Sequence, residues 1–237
     1  MARIEGNYLI IDEPIKEKKI TGHSFVDILG LNPFSKIGDA ILKFHKVIDE
    51  EIDEKWLKRG DFAEKIVQHI YTRDGHKITI YDKKEVKYDN FQNNQDFGGL
   101  LDIELLDEET LIEVKSKSSK DYEYICKLQP QHEIMQGMYY AKLRGYEKFT
   151  MEWIFFDSTT EEQVFKGEKP TTLANLKRLS KTYNVDDSYI TTKMFQVLKV
   201  VKAFREHKRI PLDLVSDECL EKIGVKRESQ LFEGLPF

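Results

Sequence analysis

The sequence predicts an α/β (α+β) fold in which helices flank a central mixed β-sheet and a helical extension follows at the C-terminus. Three observations carry that prediction. Apolar residues recur at three- and four-residue steps from Phe25 to Ile70 and again after Pro130, which is the period of an amphipathic helix. Single-residue alternation marks Leu100 to Leu106, Leu111 to Lys115 and Lys148 to Asp157 as strands. The order of helices, strands, helix and strand then makes the Pro130 helix a crossover to the strand that starts near Lys148.

Met1 to Lys19 reads as one short strand, Tyr8 to Ile11, and a charged surface loop. Thr21-Gly22-His23-Ser24 offers a helix cap ahead of Phe25, Val26, Ile28 and Leu29, and Gly30 to Pro33 ends that helix. Ser35 caps a second helix through Ile37, Ile41, Phe44, Val47 and Ile48. A third runs from Asp53 to Tyr71 and carries Glu64, which taken alone reads as solvent-facing. Lys77 to Tyr81 and Glu85 to Phe91 are predicted strands, with turns at Asp74-Gly75 and Asp82-Lys83. Asn90 to Gln95 is a polar loop, and Gly98-Gly99 lets the backbone come close to another segment or a ligand. Pro130 opens a helix to Arg144 with Gln129, His132 or Glu133, Gln136 and Tyr140 along one face, and Gly145 ends it. Past Asp157 a polar stretch, Thr159 to Lys169, leads to amphipathic helices at Thr171 to Tyr183 and Asp187 to His207. Ile210-Pro211 breaks the second of these, and Ser216 to Ile223 forms a short helix before a tail from Leu231 to Phe237. The predicted division is a core at residues 1–157 and an extension packed on it at 158–237.

The chemistry concentrates between Phe97 and Lys117. A tight hairpin closing at Glu108-Glu109 sets Asp102 opposite Lys115 and Glu104 opposite Glu113. Carboxylates and an amine then share one face, and the other face is apolar. Two hard oxygen ligands beside an amine suit Mg²⁺, which prefers carboxylates and can activate water against a phosphodiester. Ser116 to Asp121 is a loop of hydroxyls and lysines, suited to holding phosphate and equally to plain surface.

Composition sets the bounds. With 237 residues, 40% hydrophobic and 33% charged, the chain is of globular class and neither disordered nor collagen-like. No apolar run reaches the length of a membrane span and no signal-peptide pattern opens the sequence, which predicts a cytoplasmic protein without a membrane partner. Cys126 and Cys219 are too far apart for a zinc ribbon, an iron–sulfur site or a disulfide scaffold. The net charge of −5 argues mildly against a protein that coats nucleic acid, but Thr171 to Arg209 holds nine Lys or Arg against three Asp or Glu. Solvated helix faces and a DNA track explain that bias equally well.

Gly60-x-x-x-Glu64, Asp102 with Glu113-Val114-Lys115, and Gln136-x-x-x-Tyr140 resemble the ordered motifs of the PD-(D/E)xK nucleases. Ile28-Leu29-Gly30-Leu31-Asn32-Pro33-Phe34, with the six-residue step from Pro130 to Gln136 and the nine-residue step to Gly145, narrows the resemblance to the lambda-exonuclease-like, YqaJ-type viral recombinases. It covers Ile20 to Asp157, and Leu101 stands where the signature has proline.

The resemblance implies a restriction-endonuclease-like core in which Asp102 and Glu113 bind one or two Mg²⁺ or Mn²⁺ ions. The Val114 carbonyl would be an additional ligand, and Glu64 would hold a second metal or a metal-bound water. Lys115 would orient or deprotonate the attacking water; its plain alternative is a salt bridge to Asp102. Gln136 and Tyr140 would position DNA or the nucleophile, and Ser116, Lys117, Ser118 and Lys120 would contact DNA. Glu104 has no counterpart and is left to support a ligand or face solvent. The histidines, His132 included, are read as structural. The implied function is a metal-dependent exonuclease of phage-type recombination, digesting linear duplex DNA from its ends, 5′ to 3′, and leaving 3′ single strands. A single-strand-annealing protein is the implied partner and a ring-shaped homotrimer the implied assembly. The alternatives are a nuclease of the same fold that cuts internally, in restriction or repair, and a DNA-binding protein without hydrolysis.

Overall fold

The computed structural model describes residues 2–49, 53–170 and 172–227. The chain forms β1 (Ala2–Glu5), β2 (Tyr8–Ile11), α1 (Gly22–Ile28), α2 (Ile37–Phe44) and α3 (Glu54–Arg73) before the central hairpin. Then come β3 (Ile103–Leu105), β4 (Thr110–Ser118), α4 (Tyr122–Leu128), α5 (Gln131–Arg144), β5 (Lys148–Phe156) and α6 (Ser158–Phe165). β6 (Lys177–Asn184), α7 (Asp187–His207), β7 (Arg209–Pro211) and α8 (Asp217–Lys222) follow. The chain divides into two units, Met1–Glu50 with Thr192–Phe237, and Glu51–Thr191, so the boundary expected after residue 157 is not the observed one.

The unit Glu51–Thr191 is built on a mixed sheet in the order β3-β4-β5-β6, with β4 and β5 parallel and both outer pairs antiparallel. α4 and α5 supply the crossover that a parallel pair requires. On one face, Ala63 and Val67 of α3 pack on Ile103, Leu105, Ile112, Val114, Ile154 and Phe156. α5 covers the other face at very close range: a Cβ on Gly137 would lie 2.6 Å from the Phe149 ring and 2.9 Å from Met151 Sδ.

Several predicted elements are corrected here. The helix expected over Thr171 to Tyr183 is strand β6, antiparallel to β5 from Lys148↔Asn184 to Phe155↔Lys177. Without it the outer edge of the buried β5 would present unpaired backbone groups. Arg178 and Ser180 also hydrogen-bond the buried Glu152, and Tyr183 stacks on Phe149 at 5.5 Å. Long-range partners thus override the helical period, and the C-terminal extension is not wholly helical.

Lys77 to Tyr81 supplies a single bridge, Thr79 to Glu104, in place of a strand, and Glu85 to Phe91 contains turns. The Asp82 carboxylate accepts the N–H groups of Lys84 and Glu85 at 2.8 and 3.0 Å, which bends the chain there. The hairpin register is also shifted, with Glu104 opposite Leu111 and Leu105 opposite Thr110. A two-residue turn needs positive φ at one or both central positions, which Glu108-Glu109 resists. The loop widens to Leu106–Glu109, and only Glu109 takes a positive φ, 47°. Ser116 to Ser118 belong to β4 and not to a loop, and a 3₁₀ turn at Ser119–Asp121 follows. The polar stretch after Asp157 begins as α6, capped by Asp157 through the N–H groups of Thr159 and Thr160. Lys36, not Ser35, occupies the N-cap position of α2, without a side-chain capping bond, and Val47 and Ile48 lie beyond the helix end.

The other unit holds an antiparallel sheet in the order β1-β2-β7. β1 was not predicted; Gly6, at φ 56°, supplies its turn into β2. Thr21 and Ser24 form a reciprocal capping box for α1. After Gly30, Asn32 Nδ2 donates to Asp27 Oδ1 at 2.8 Å and Asn32 Oδ1 accepts the Phe34 N–H at 3.0 Å. The Ile28 to Phe34 motif is therefore a helix-ending turn locked by its own asparagine. The short helix expected over Ser216 to Ile223 is α8, capped by the Ser216 side chain, and the Leu231 to Phe237 tail lies outside the described residues. No helix among the described residues is long and apolar enough to cross a membrane.

Candidate active site

Asp102 reaches the sheet through Gly98-Gly99. The Tyr139 hydroxyl donates to the Gly98 carbonyl at 3.1 Å and accepts the Gly98 N–H at 3.3 Å. Asp89 and Asn90 side chains accept the N–H groups of Gly99 and Leu101 at 3.1 and 2.9 Å. A Cβ on Gly99, whose φ is 139°, would lie 2.6 Å from Tyr140 Cε1. The close approach expected at the two glycines is thus made by consecutive tyrosines of α5. Gly99→Ala should lower stability by about 1–3 kcal/mol through clash and strain. A melting temperature equal to wild type would show that this packing does not constrain the approach to Asp102.

On β4, Glu113 and Lys115 share a face because they are two residues apart. The register carried one step past Ile103↔Ile112 puts Glu113 opposite Asp102, whose Oδ2 accepts the Val114 N–H at 2.8 Å. Lys115 Nζ donates to Glu113 Oε1 at 2.8 Å and to Gln136 Oε1 at 2.9 Å. Its ion pair is therefore with Glu113 and not with Asp102, and Gln136 ties α5 to the strand.

The electrostatics follow from burial. Burial alone lowers the Lys115 pKa, but Glu113 and Asp102 outweigh it and hold the ammonium above the ordinary lysine value. Burial pushes the Glu113 carboxyl up to about 8, with the Asp102 charge adding and Lys115 opposing. Asp102 is raised as well, by burial against the pull of Lys115 and the Val114 N–H. Glu64 rises to about 7, first through burial and then through the Asp102 charge. Glu64 is half-buried on α3, so it is not a plain solvent-facing glutamate.

Glu113 Oε2 is buried with no hydrogen-bond partner. That oxygen, within electrostatic reach of the Asp102 and Glu64 carboxyls, is the place a cation would fill. The donors are all hard oxygens, a set that fits Mg²⁺ or Mn²⁺. Among the described residues, no three His, Cys, Asp or Glu side chains are gathered tightly enough to hold a metal as they stand.

The expected DNA contacts fare unevenly. Lys120 is exposed in the 3₁₀ turn. Ser116 is tied to Arg59, which donates to its hydroxyl at 3.3 Å and its carbonyl at 3.1 Å, and Ser118 is paired in β4. Lys117 is ion-paired with Glu133. Tyr140 is 5% exposed and stacks on Phe91, so its ring is packing and has little surface for DNA. Glu104 is 0% exposed and does not face solvent. Arg144 Nε and Nη2 donate to it at 2.6 and 2.7 Å, Tyr146 at 2.6 Å, and Tyr81 through a short bond.

Two residues near the site were given no role from the sequence. Glu133, buried one turn before Gln136, accepts from Trp153 Nε1 at 2.6 Å and from Lys117, and its charge reaches Lys115. Its three-residue spacing from Gln136 was the available signal. Lys83, paired with Asp61 at 3.5 Å, acts electrostatically on Glu64 and Asp102, and nothing in its local sequence marks it.

The fold aligns with two solved exonucleases. An alkaline exonuclease of Laribacter hongkongensis matches with a TM-score of 0.53 and 16% identity, over 80% of this chain and 91% of that one. A phage-related exonuclease of Haemophilus somnus matches with a TM-score of 0.54 and 13% identity, over 81% and 95%. The chain has the fold of these exonucleases. This exonuclease fold, a mixed sheet flanked by helices, is the architecture that the ordered motifs led us to expect. The Laribacter enzyme has also been solved with dAMP. In sequence, the uncharacterized protein MG373 of Mycoplasma genitalium is 36% identical over 92 residues, 38% of this chain and 33% of its own length. Its Mycoplasma pneumoniae homolog is 33% identical over 91 residues, 38% and 32% of the two chains. The chain thus spans about a third of the length of these curated relatives. No protein-family model matches it.

Proposed function

We propose that the protein is a metal-dependent deoxyribonuclease that degrades linear duplex DNA from its ends. One observation carries the reading: Lys115 Nζ is held between Glu113 Oε1 and Gln136 Oε1 at 2.8 and 2.9 Å, on the face where Asp102 and the unpartnered Glu113 Oε2 meet. Asp102 and Glu113 would hold the ion, with the Val114 carbonyl and Glu64 as further oxygens. A divalent cation bound there supplies the positive charge that lets a phosphodiester approach carboxylates.

The chain's own part is orientation. An ammonium has three N–H bonds; Glu113 and Gln136 take two, and the third is left for a substrate or water oxygen. Asp102 is fixed by the Val114 N–H, so the carboxylates are placed before substrate arrives. The preference for end-dependent action over internal cutting rests on the ordered motifs, and both solved neighbours of this fold are exonucleases. Polarity from the 5′ end, a ring-shaped trimer and handover to a single-strand-annealing protein belong to the same proposal and rest on the motifs.

The test compares end-labelled linear duplex with covalently closed circles of the same sequence. With Mg²⁺ or Mn²⁺ the linear form should be degraded and the circles should survive, and chelator should stop the reaction. Rapid cutting of relaxed circles would replace the proposal with an endonuclease. Intact linear DNA in excess of both metals would leave a binding protein.

A further inference from the structure

A second ammonium reaches the carboxylates of the site, and it comes from a loop. The stretch from Thr79 to Asn90 runs between two fastenings to the segment that carries Asp102. At its start, Thr79 and Glu104 exchange both backbone hydrogen bonds, at 2.8 and 3.0 Å, and the Tyr81 hydroxyl donates to the Glu104 carboxylate. At its end, the Asp89 and Asn90 side chains accept the N–H groups of Gly99 and Leu101. In between, the Val86 N–H donates to the Asp82 carbonyl at 3.1 Å and the Tyr88 N–H to the Lys83 carbonyl at 2.7 Å, which closes a compact turn. The loop is thus built onto the chain on both sides of Asp102, and Lys83 stands in its turn.

Lys83 Nζ lies 3.5 Å from Asp61 Oδ1 of α3. Asp61 stands three residues before Glu64, so the two carboxyls share a helix face and Lys83 meets that face. Both members of the ion pair are half-exposed, and such a pair contributes little to stability. Burial lowers the Lys83 pKa, but Glu64, Asp61 and Asp102 outweigh it and hold the ammonium above the ordinary lysine value. A lysine that only pinned its loop to α3 would need Asp61 alone; this one is also felt at two of the proposed metal ligands. Fully ionised, Asp61, Glu64, Asp102 and Glu113 carry four negative charges, and Lys83 and Lys115 return two positive ones. The two that remain equal the charge of one divalent ion. Glu133 adds nothing to that balance, because Lys117 is paired with it. A second divalent ion at Glu64 would meet a fixed charge of its own sign at short range.

We propose that Lys83 is a positioning residue that takes the place of a second metal: its ammonium is the fixed cation for Glu64, so the site takes a single divalent ion, at Asp102 and Glu113. The inference rests on the nuclease reading and adds to it how many ions the site accepts and which residue sets that number.

Calorimetric titration with Mn²⁺, in the absence of DNA, reads the number of ions directly. Wild type should bind one ion per chain and Lys83→Met two, since the carboxylates left without their ammonium attract a second. Lys83→Arg, which keeps the charge, and Lys84→Met, which removes the exposed lysine next in sequence, should each bind one. Lys83 and Lys84 are exposed, and circular dichroism of all three variants should match wild type. A role confined to holding the loop would leave the number of ions unchanged. A wild type that binds two ions or none overturns the proposal, as does a Lys83→Met protein that still binds one. A second ion in Lys83→Arg or Lys84→Met overturns it too, because the number would then not follow the charge at residue 83. Cleavage of linear duplex with Mg²⁺ is measured in parallel. If wild type cuts while Lys83→Met binds one ion, Lys83 is a loop anchor and the nuclease reading stands. If wild type never cuts while the number rises from one to two in Lys83→Met, the nuclease reading is lost and the role of Lys83 stands.

Discussion

Lys115→Met should fold, at some cost in stability because it strands the buried Glu113, and lose DNA cleavage by on the order of 10²–10³-fold, the range for removing one positioned donor at a reacting centre. The substitution keeps the length of the stem inside the sheet and removes the ammonium that bridges Glu113 to Gln136. Asp102→Ala and Glu113→Ala should be at least as damaging, since each removes a proposed metal ligand. Gln136→Ala should cost less, because its amide contacts Lys115 and contributes by orientation alone. Single-turnover cleavage of end-labelled duplex, with near-ultraviolet dichroism to verify folding, measures the series. A wild-type rate in Lys115→Met would remove the assigned chemistry, whatever the other variants do.

That ranking could be written from the sequence because the residues concerned obey local rules. Asp102, Glu113 and Lys115 sit on strands whose alternation decides which face each side chain takes, and Gln136 follows Pro130 by a fixed helical step. Face and spacing were therefore legible. Cross-strand pairing was not. Which residue stands opposite Asp102 depends on how Leu106–Glu109 turns, and a short turn was assumed where glutamates require a wider one. The ion pair assigned to Lys115 moved with the register, from Asp102 to Glu113.

β6 marks the second limit. Its residues carry a weak helical period, and only the open edge of β5 and the buried Glu152 make a strand the better solution. Neither is visible within twenty residues of Lys177. The same holds for Glu133 and Lys83, whose importance lies in partners contributed by other elements. Sequence showed which side chains could do chemistry, and only tertiary contact showed which of them are held in place to do it. Tyr140 is the converse case: it sits at the expected step from Gln136 and is spent on packing against Phe91 and Gly99.

Arg144→Met should destabilise the unit Glu51–Thr191 by about 3–5 kcal/mol, the cost of stranding a buried charge. Glu104 is fully buried on β3, and the Arg144 guanidinium supplies two of its hydrogen bonds, at 2.6 and 2.7 Å, and its neutralising charge. Tyr81 and Tyr146 also donate to Glu104, but phenols bring no compensating charge. Arg144 itself is partly exposed, so the opposite change, Glu104→Leu, leaves a cation that water can still reach and should cost less. The double variant Glu104→Leu/Arg144→Met should recover much of the loss, because an apolar pair of similar volume has no desolvation to offset. Both tryptophans, Trp56 and Trp153, lie in this unit, and their fluorescence in a urea titration isolates its unfolding. Single and double variants of equal stability would show that Glu104 is held by the tyrosines and not by the ion pair. The pair joins β3, which follows Asp102 directly, to the end of the helix that carries Gln136. A variant that loosens it should therefore lose cleavage at temperatures below its unfolding transition, as Asp102 and Gln136 cease to be held on one frame.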